Sequence, residues 1–166
     1  MRRETVKTIR TKSPEQALAS LMQQCAKAEK SSGDAMRLMA RWGVAPEHRG
    51  EILDRLVAEK FIDDRRYAQA YVREKLNLSG WGARKIASSL KAKGVAQSII
   101  SRELEDLDRD AMSERLLEKI ERKARVVKSK DRYDLKSKLI RFGISLGYDY
   151  QMVLDIVSQI VSIDEE

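Results

Sequence analysis

The chain has 166 residues, 42% of them hydrophobic and 36% charged, with 33 Lys and Arg against 26 Asp and Glu for a net charge of +7. Such a composition fits a highly charged helical protein, and it is long enough for one or two ordinary domains or a few small repeats. One cysteine, Cys25, excludes an intramolecular disulfide and a cysteine-cluster metal site, and a single His48 without a second His or Cys nearby argues against a histidine metal centre.

The charge is uneven. Residues 1–12 carry Arg2, Arg3, Lys7, Arg10 and Lys12 against Glu4 and read as a flexible basic arm. This start lacks the apolar stretch of a secretory signal, and no run in the chain approaches the roughly 18 to 20 apolar residues that span a bilayer. A cytoplasmic protein with no membrane partner is therefore expected.

Ser13-Pro14-Glu15-Gln16 is a helix start: a serine cap, proline at the first position and glutamine three after the cap. Ala17, Leu18, Leu21 and Cys25 continue it as an apolar stripe. In this pattern Cys25 reads as a small buried hydrophobe. Ser31-Ser32-Gly33 ends the helix and Asp34 opens a second, with Met36, Met39 and the anchor Trp42, stopped at Gly43. Pro46 starts a third, lined by Ile52, Leu53, Leu56 and Val57.

The next stretch, 61–95, is the most position-specific. Phe61-Ile62 docks a helix end, and Asp63-Asp64 caps the fourth helix, whose apolar face takes Tyr67, Ala70, Tyr71 and Leu78. Gly80-Trp81-Gly82 breaks it at a tight corner around an aromatic anchor. A fifth helix with Ile86 and Leu90 stops at Gly94, and Val95 returns to the core. The sixth helix comes after it with Ile99, Ile100 and Leu104, and the seventh runs from about Asp108 through Met112, Leu116 and Ile120 into a basic half. Asp131 or Asp134 caps the eighth, which ends at Gly147, and Asp149 caps the ninth, with Val153, Ile156 and Val157.

Gly43, Gly94 and Gly147 recur at a period of about fifty residues, each closing a second helix. The simplest account is an all-α fold of about nine helices: an elongated, curved array of three tandem three-helix repeats over 13–60, 61–107 and 108–166. A unit of fifty residues buries too little apolar surface to stand alone, so neighbours should stack.

The ordered features Phe61, Asp63-Asp64, Tyr67-Ala68, Gly80-Trp81-Gly82, Ile86, Leu90 and Lys93-Gly94-Val95 resemble the central motif of the RecX family, small bacterial regulators of the RecA recombinase. The match is most specific over 56–95. Ala83 departs from it, since many members carry proline there; alanine keeps the helix and loses only a preset first turn. The resemblance agrees with three-helix repeats.

No catalytic constellation appears: no H-E-x-x-H, no phosphate-binding G-x-x-x-x-G-K-[ST], and no supported serine–histidine–acid set. Asp63-Asp64 reads as helix caps and Gly80-Trp81-Gly82 as a structural corner. The expectation is a binding protein with no cofactor, not an enzyme. Its exposed cations are the candidate contact residues: Arg65, Arg66, Arg73, Lys75, Arg84, Lys85 and Lys91 on the fourth and fifth helices, and Arg122, Lys123, Arg125, Lys128 and Lys130 on the seventh and the loop after it. Arginine forks suit carboxylates and phosphates, and lysine supplies less directed charge. Tyr67, Tyr71, Trp81 and Tyr133 could stack on bases, although Tyr71 and Trp81 read better as core anchors and Tyr133 as the most exposed.

The resemblance implies the partners: RecA protein and its filament on single-stranded DNA. A chain of this family would lie in the filament groove, bridge protomers, block growth, and lower ATP hydrolysis, strand exchange and co-protease activity by obstruction, which places it in DNA repair and the SOS response. A monomer with weak direct DNA binding is expected. Two other readings stay open: a sequence-independent DNA-binding module acting on nucleic acid alone, and an inert helical scaffold.

Overall fold

A computed structural model describes residues 11–163, so most of the stretch read as a basic arm, and the final acidic residues, lie outside the described residues. Among the described residues there are nine α-helices and no strand: α1 (Pro14–Lys27), α2 (Ser32–Arg41), α3 (Pro46–Ala58), α4 (Asp64–Glu74), α5 (Ala83–Ala92), α6 (Gln97–Glu105), α7 (Arg109–Val126), α8 (Arg132–Ser145) and α9 (Tyr150–Ile163). The all-α class and the helix number agree with the sequence reading. The described chain divides into two compact units, one holding the residues up to Tyr67 with Lys93–Ala96, the other Ala68–Ala92 with Gln97 onward.

In the first unit α3 packs against both α1 and α2. Its core is Ala17, Leu21, Met39, Val44, Leu56 and Ile62, each at most 2% exposed. The expected capping box opens α1: Gln16 N–H donates to Ser13 Oγ, and Ser13 N–H donates to Gln16 Oε1. α2 starts two residues earlier than the sequence suggests. Ser31 is its cap and accepts from Asp34 N–H, while Asp34 returns the bond as the third helical residue. Aspartate three residues after a serine serves as the far half of the box as well as it serves as a cap. Val57, expected on the apolar stripe of α3, is 47% exposed. Lys12 is docked: its N–H donates to the Trp42 carbonyl and its ammonium lies 4.3 Å from the centre of the Trp42 ring.

In the second unit α7, α8 and α9 pack on one another around Leu116, Ile120, Leu139, Val153 and Val157. Tyr148, 2% exposed, completes this core and donates its hydroxyl to the Gly80 carbonyl at 3.1 Å.

Both units contain the same joint. In the first, Gly33 in the opening turn of α2 lies against the backbone of Lys93 and Gly94, and Ser31 Oγ–H donates to the Lys93 carbonyl at 2.6 Å. In the second, Gly82 lies against the Gly147 carbonyl; Gly82 N–H donates to Leu146 O at 2.7 Å and Arg84 N–H to Gly147 O at 3.0 Å. In the second unit the unpaired amides at the start of α5 thus meet the unpaired carbonyls beyond the end of α8, and in the first the Ser31 hydroxyl takes the place of an amide. The two macrodipoles meet with opposite partial charges.

Candidate partner-binding surface

The corner after α4 sets the local geometry of the second unit. α4 does not simply stop; Lys75–Ser79 continues it as a π-type turn, closed by Gly80 N–H and Trp81 N–H both donating to the Lys75 carbonyl. Gly80 takes φ 64°, the left-handed region that favours glycine. A π turn inserts an extra residue into a helix and so rotates the downstream side chains by about 100° around its axis. Leu78, expected on the apolar face with Tyr71, falls inside this widened turn, off the α-helical register that its spacing from Tyr71 assumes, and is 84% exposed.

The turn is braced from outside. Arg115 Nη2–H donates to Asn77 Oδ1 at 3.1 Å, and the aliphatic chain of Lys119 lies across Gly80 where a Cβ would collide. Beside it is a cleft of about 320 Å³ lined by Leu76, Asn77, Leu78 and Gly80 on one side and by Arg115, Glu118, Lys119 and Arg122 on the other.

The candidate cations divide by role. Arg65 and Arg66 belong to the first unit, the other ten to the second. Arg66 is committed within its unit: it pairs with Glu29 at 2.6 Å and also donates to the carbonyls of Lys60 and Phe61. Hydrogen bonding to Glu29 holds its guanidinium still more firmly protonated. Lys75 pairs with Glu74 at 2.9 Å, a bond that raises its ammonium pKa. Lys75 and Lys85 place their ammonium groups 5.1 and 4.4 Å from the centre of the Trp81 ring, so the indole carries cations on its π face. Lys123 covers Phe142 in the same way at 5.3 Å. Arg84 reaches Asp149 only at 3.8 Å and Arg122 reaches Glu118 at 3.6 Å, both as exposed pairs. Screened pairs of that kind hold their arginines weakly. Arg73, Lys91, Arg125, Lys128 and Lys130 are exposed.

Two further grooves lie on the second unit, and of the twelve candidate cations only Arg84 and Lys85 line one of them. One, about 520 Å³, joins Trp81, Arg84 and Lys85 to Ile144, Ser145 and Gly147. The other, about 440 Å³, joins Arg132, Tyr133 and Lys136 to Ser158, Val161 and Ser162. Tyr133 is 81% exposed, as its position in the sequence suggests, and Arg132 Nη2–H donates to the Val161 carbonyl at 2.6 Å. Near it, Lys138 and the Lys130 N–H hold the Asp134 carboxyl below the ordinary aspartate range. Sequence reasoning did not bring Arg115, Lys119 and Leu78 together, as the cleft does. Arg115 and Lys119 stand four apart on α7, and helical spacing alone shows that they share a face. Only the π turn reveals which segment that face meets.

His48 lines a groove in the first unit with Glu15, Glu51 and Arg55. Among the described residues no three His, Cys, Asp or Glu side chains are placed to hold a metal ion. Burial pushes the Cys25 thiol above its ordinary pKa. No helix among the described residues is long and apolar enough to cross a membrane.

These features define a class: an all-helical protein of short helices with docked ends and a cation-rich second unit. Comparison with known proteins takes the class to a family. The family description "RecX, second three-helix domain" matches residues 63–104, the segment that holds the Gly-Trp-Gly corner. Regulatory protein RecX of Clostridium botulinum (strain Alaska E43 / Type E3) is 31% identical over 140 residues, covering 83% of this chain and 64% of that protein. Regulatory protein RecX of Mycobacterium sp. (strain JLS) is 35% identical over 111 residues, covering 64% of this chain and 61% of that protein. The chain thus spans less than two thirds of the length of these relatives. In fold it is similar to the crystal structure of RecX from Lactobacillus salivarius, with TM-score 0.76 at 18% identity over 90% of this chain and 97% of that one. A second crystal structure, of a regulatory protein RecX, gives TM-score 0.80 at 19% identity over 88% of this chain and 73% of that one. The chain belongs to the RecX family.

Proposed function

We propose that this chain binds the filament that RecA recombinase forms on single-stranded DNA and restrains it, slowing filament growth and with it ATP hydrolysis, strand exchange and co-protease activity. The observation that carries the reading is the likeness to relatives named regulatory protein RecX over 83% of the chain. The surface supports it: the exposed cations of the second unit suit an acidic partner. Several modest contacts on neighbouring protomers would add through effective concentration, so tight attachment needs no deep pocket. Obstruction is the mechanism proposed, because contacts of this kind hold a partner in place and transform no bond.

Anisotropy of labelled single-stranded DNA, bare or coated with recombinase, tests this. The filament should be bound much more tightly than the bare strand. Equal affinity for both would sink the reading.

One observation favours a second reading, binding to nucleic acid alone: exposed Tyr133 stands in a groove with Arg132 and Lys136, and an aromatic ring among cations suits stacked bases and phosphates. In that case the bare strand binds strongly, with a log–log salt slope of roughly −3.5 for about five phosphate contacts.

A further inference from the structure

Leu78 is more exposed than any other large hydrophobic side chain among the described residues, at 84%. Its backbone is nonetheless tightly held. Gly80 and Trp81 N–H groups close the turn on the Lys75 carbonyl, Tyr148 grips the Gly80 carbonyl, and Arg115 grips Asn77. An apolar side chain standing in water on a braced turn gains nothing for the fold. Anchors of this kind dominate protein interfaces, because little ordering is left to do on binding.

The surroundings define what it would meet. The cleft beside Leu78 presents Arg115, Lys119 and Arg122, with Glu118 as its one acidic side chain. Val126, 75% exposed, lies one helical turn beyond Arg122 and extends the sequence of apolar and cationic groups along that face of α7.

We propose that Leu78 and the Arg115–Lys119–Arg122 cleft dock onto the acidic surface of a folded protein: Leu78 enters an apolar socket, and an Asp or Glu carboxylate at the socket's rim enters the cleft beside Lys119 and Arg122. Leucine offers no π face for a base, and the neighbouring indole of Trp81 already carries lysine ammonium groups, so this point is built for protein and not for a nucleic-acid strand. The inference rests on the proposed function, and it places a recombinase protomer, not the DNA, against the π turn.

The test compares wild type, Leu78→Ser, Leu78→Met and Lys119→Glu for affinity to recombinase-coated and bare single-stranded DNA, with thermal melts as fold controls. Leu78→Ser and Lys119→Glu should each lose about tenfold or more on the coated filament. Leu78→Met should bind nearly as wild type does. Leu78→Ser should leave affinity for the bare strand and the melting temperature unchanged. If wild type binds the filament and Leu78→Ser binds it equally well, this inference alone falls. If Leu78→Ser loses affinity equally for both, the turn contacts nucleic acid and the protein assignment is wrong. A wild type that ignores the filament overturns the functional reading and takes this inference with it.

Discussion

Gly82 and Gly147 meet backbone to backbone: a Cβ added to either would run into the other's surroundings, the Gly147 carbonyl in one case and Lys85 in the other. The 2.7 Å bond from Gly82 N–H to the Leu146 carbonyl depends on that approach. Gly33 and Gly94 repeat the relationship in the first unit.

Gly82→Ala should therefore cost about 2 kcal/mol, since one inserted carbon must push a backbone aside. For a chain of this size the melting temperature should fall by about 4–8 °C. Gly50 supplies the control. It sits in α3 with nothing near its missing Cβ, so Gly50→Ala should stabilise by about 0.5–1 kcal/mol through reduced freedom of the unfolded chain. Urea titration of both variants checks the contrast.

Tyr148→Phe should cost about 1–2 kcal/mol, because the Gly80 carbonyl loses its buried donor. Burial pushes the phenol above the ordinary tyrosine pKa. A raised value means that Tyr148 stabilises the fold fully below the unfolded tyrosine pKa of about 10 and that this contribution is lost as pH rises through the folded value. Alkaline melts of the variant should thus lose less stability between neutral pH and that range than wild type does.

Asp34 governs the acid side in the first unit. Burial pushes its carboxyl up, but hydrogen bonds from Arg37 and Ser31 outweigh it and hold the group below the ordinary aspartate range. A depressed carboxylate stabilises the fold fully above the unfolded value of about 3.9, and the contribution is lost as pH falls through the lower folded value. Asp34→Asn should lower the melting temperature at neutral pH and flatten its fall below about pH 4. Parallel melts across pH measure both slopes.

Charge reversal separates binding from folding. Arg122, Arg125 and Lys128 are exposed, whereas Lys123 covers Phe142 and is better left intact. The triple variant Arg122→Glu, Arg125→Glu, Lys128→Glu should keep the helical circular dichroism of wild type and lose most of its inhibition of the recombinase. Full inhibition by the folded variant would remove this end of α7 from the contact surface.

Much of the fold is legible in the sequence. Ser13 with Gln16, Pro46, and glycines after helix ends are local signals with a single physical reading, and α1, α3 and α7 begin where those signals place them. The start of α2 is ambiguous in sequence because Ser31 and Asp34 are both competent caps and only their reciprocal bonding ranks them. Asp64 shows the same limit. It reads as a cap for its own helix, yet its carboxylate accepts from Ser32 N–H at 2.7 Å, a partner 32 residues away. The spacing of Leu78 from Tyr71 fits the apolar face of an α-helix, and no residue pattern announces a π turn. The candidate surface is legible as a set of charges but not as a geometry. Arg66, Lys75, Lys85 and Lys123 are equally basic in sequence, but each is engaged by a neighbour in the fold.

The most direct measurement is recombinase ATP hydrolysis on single-stranded DNA, titrated with this protein well below one molecule per recombinase protomer. The account predicts progressive loss of turnover at those low ratios, as each bound molecule halts growth for many protomers. Turnover that stays at its starting rate up to equimolar protein would contradict it.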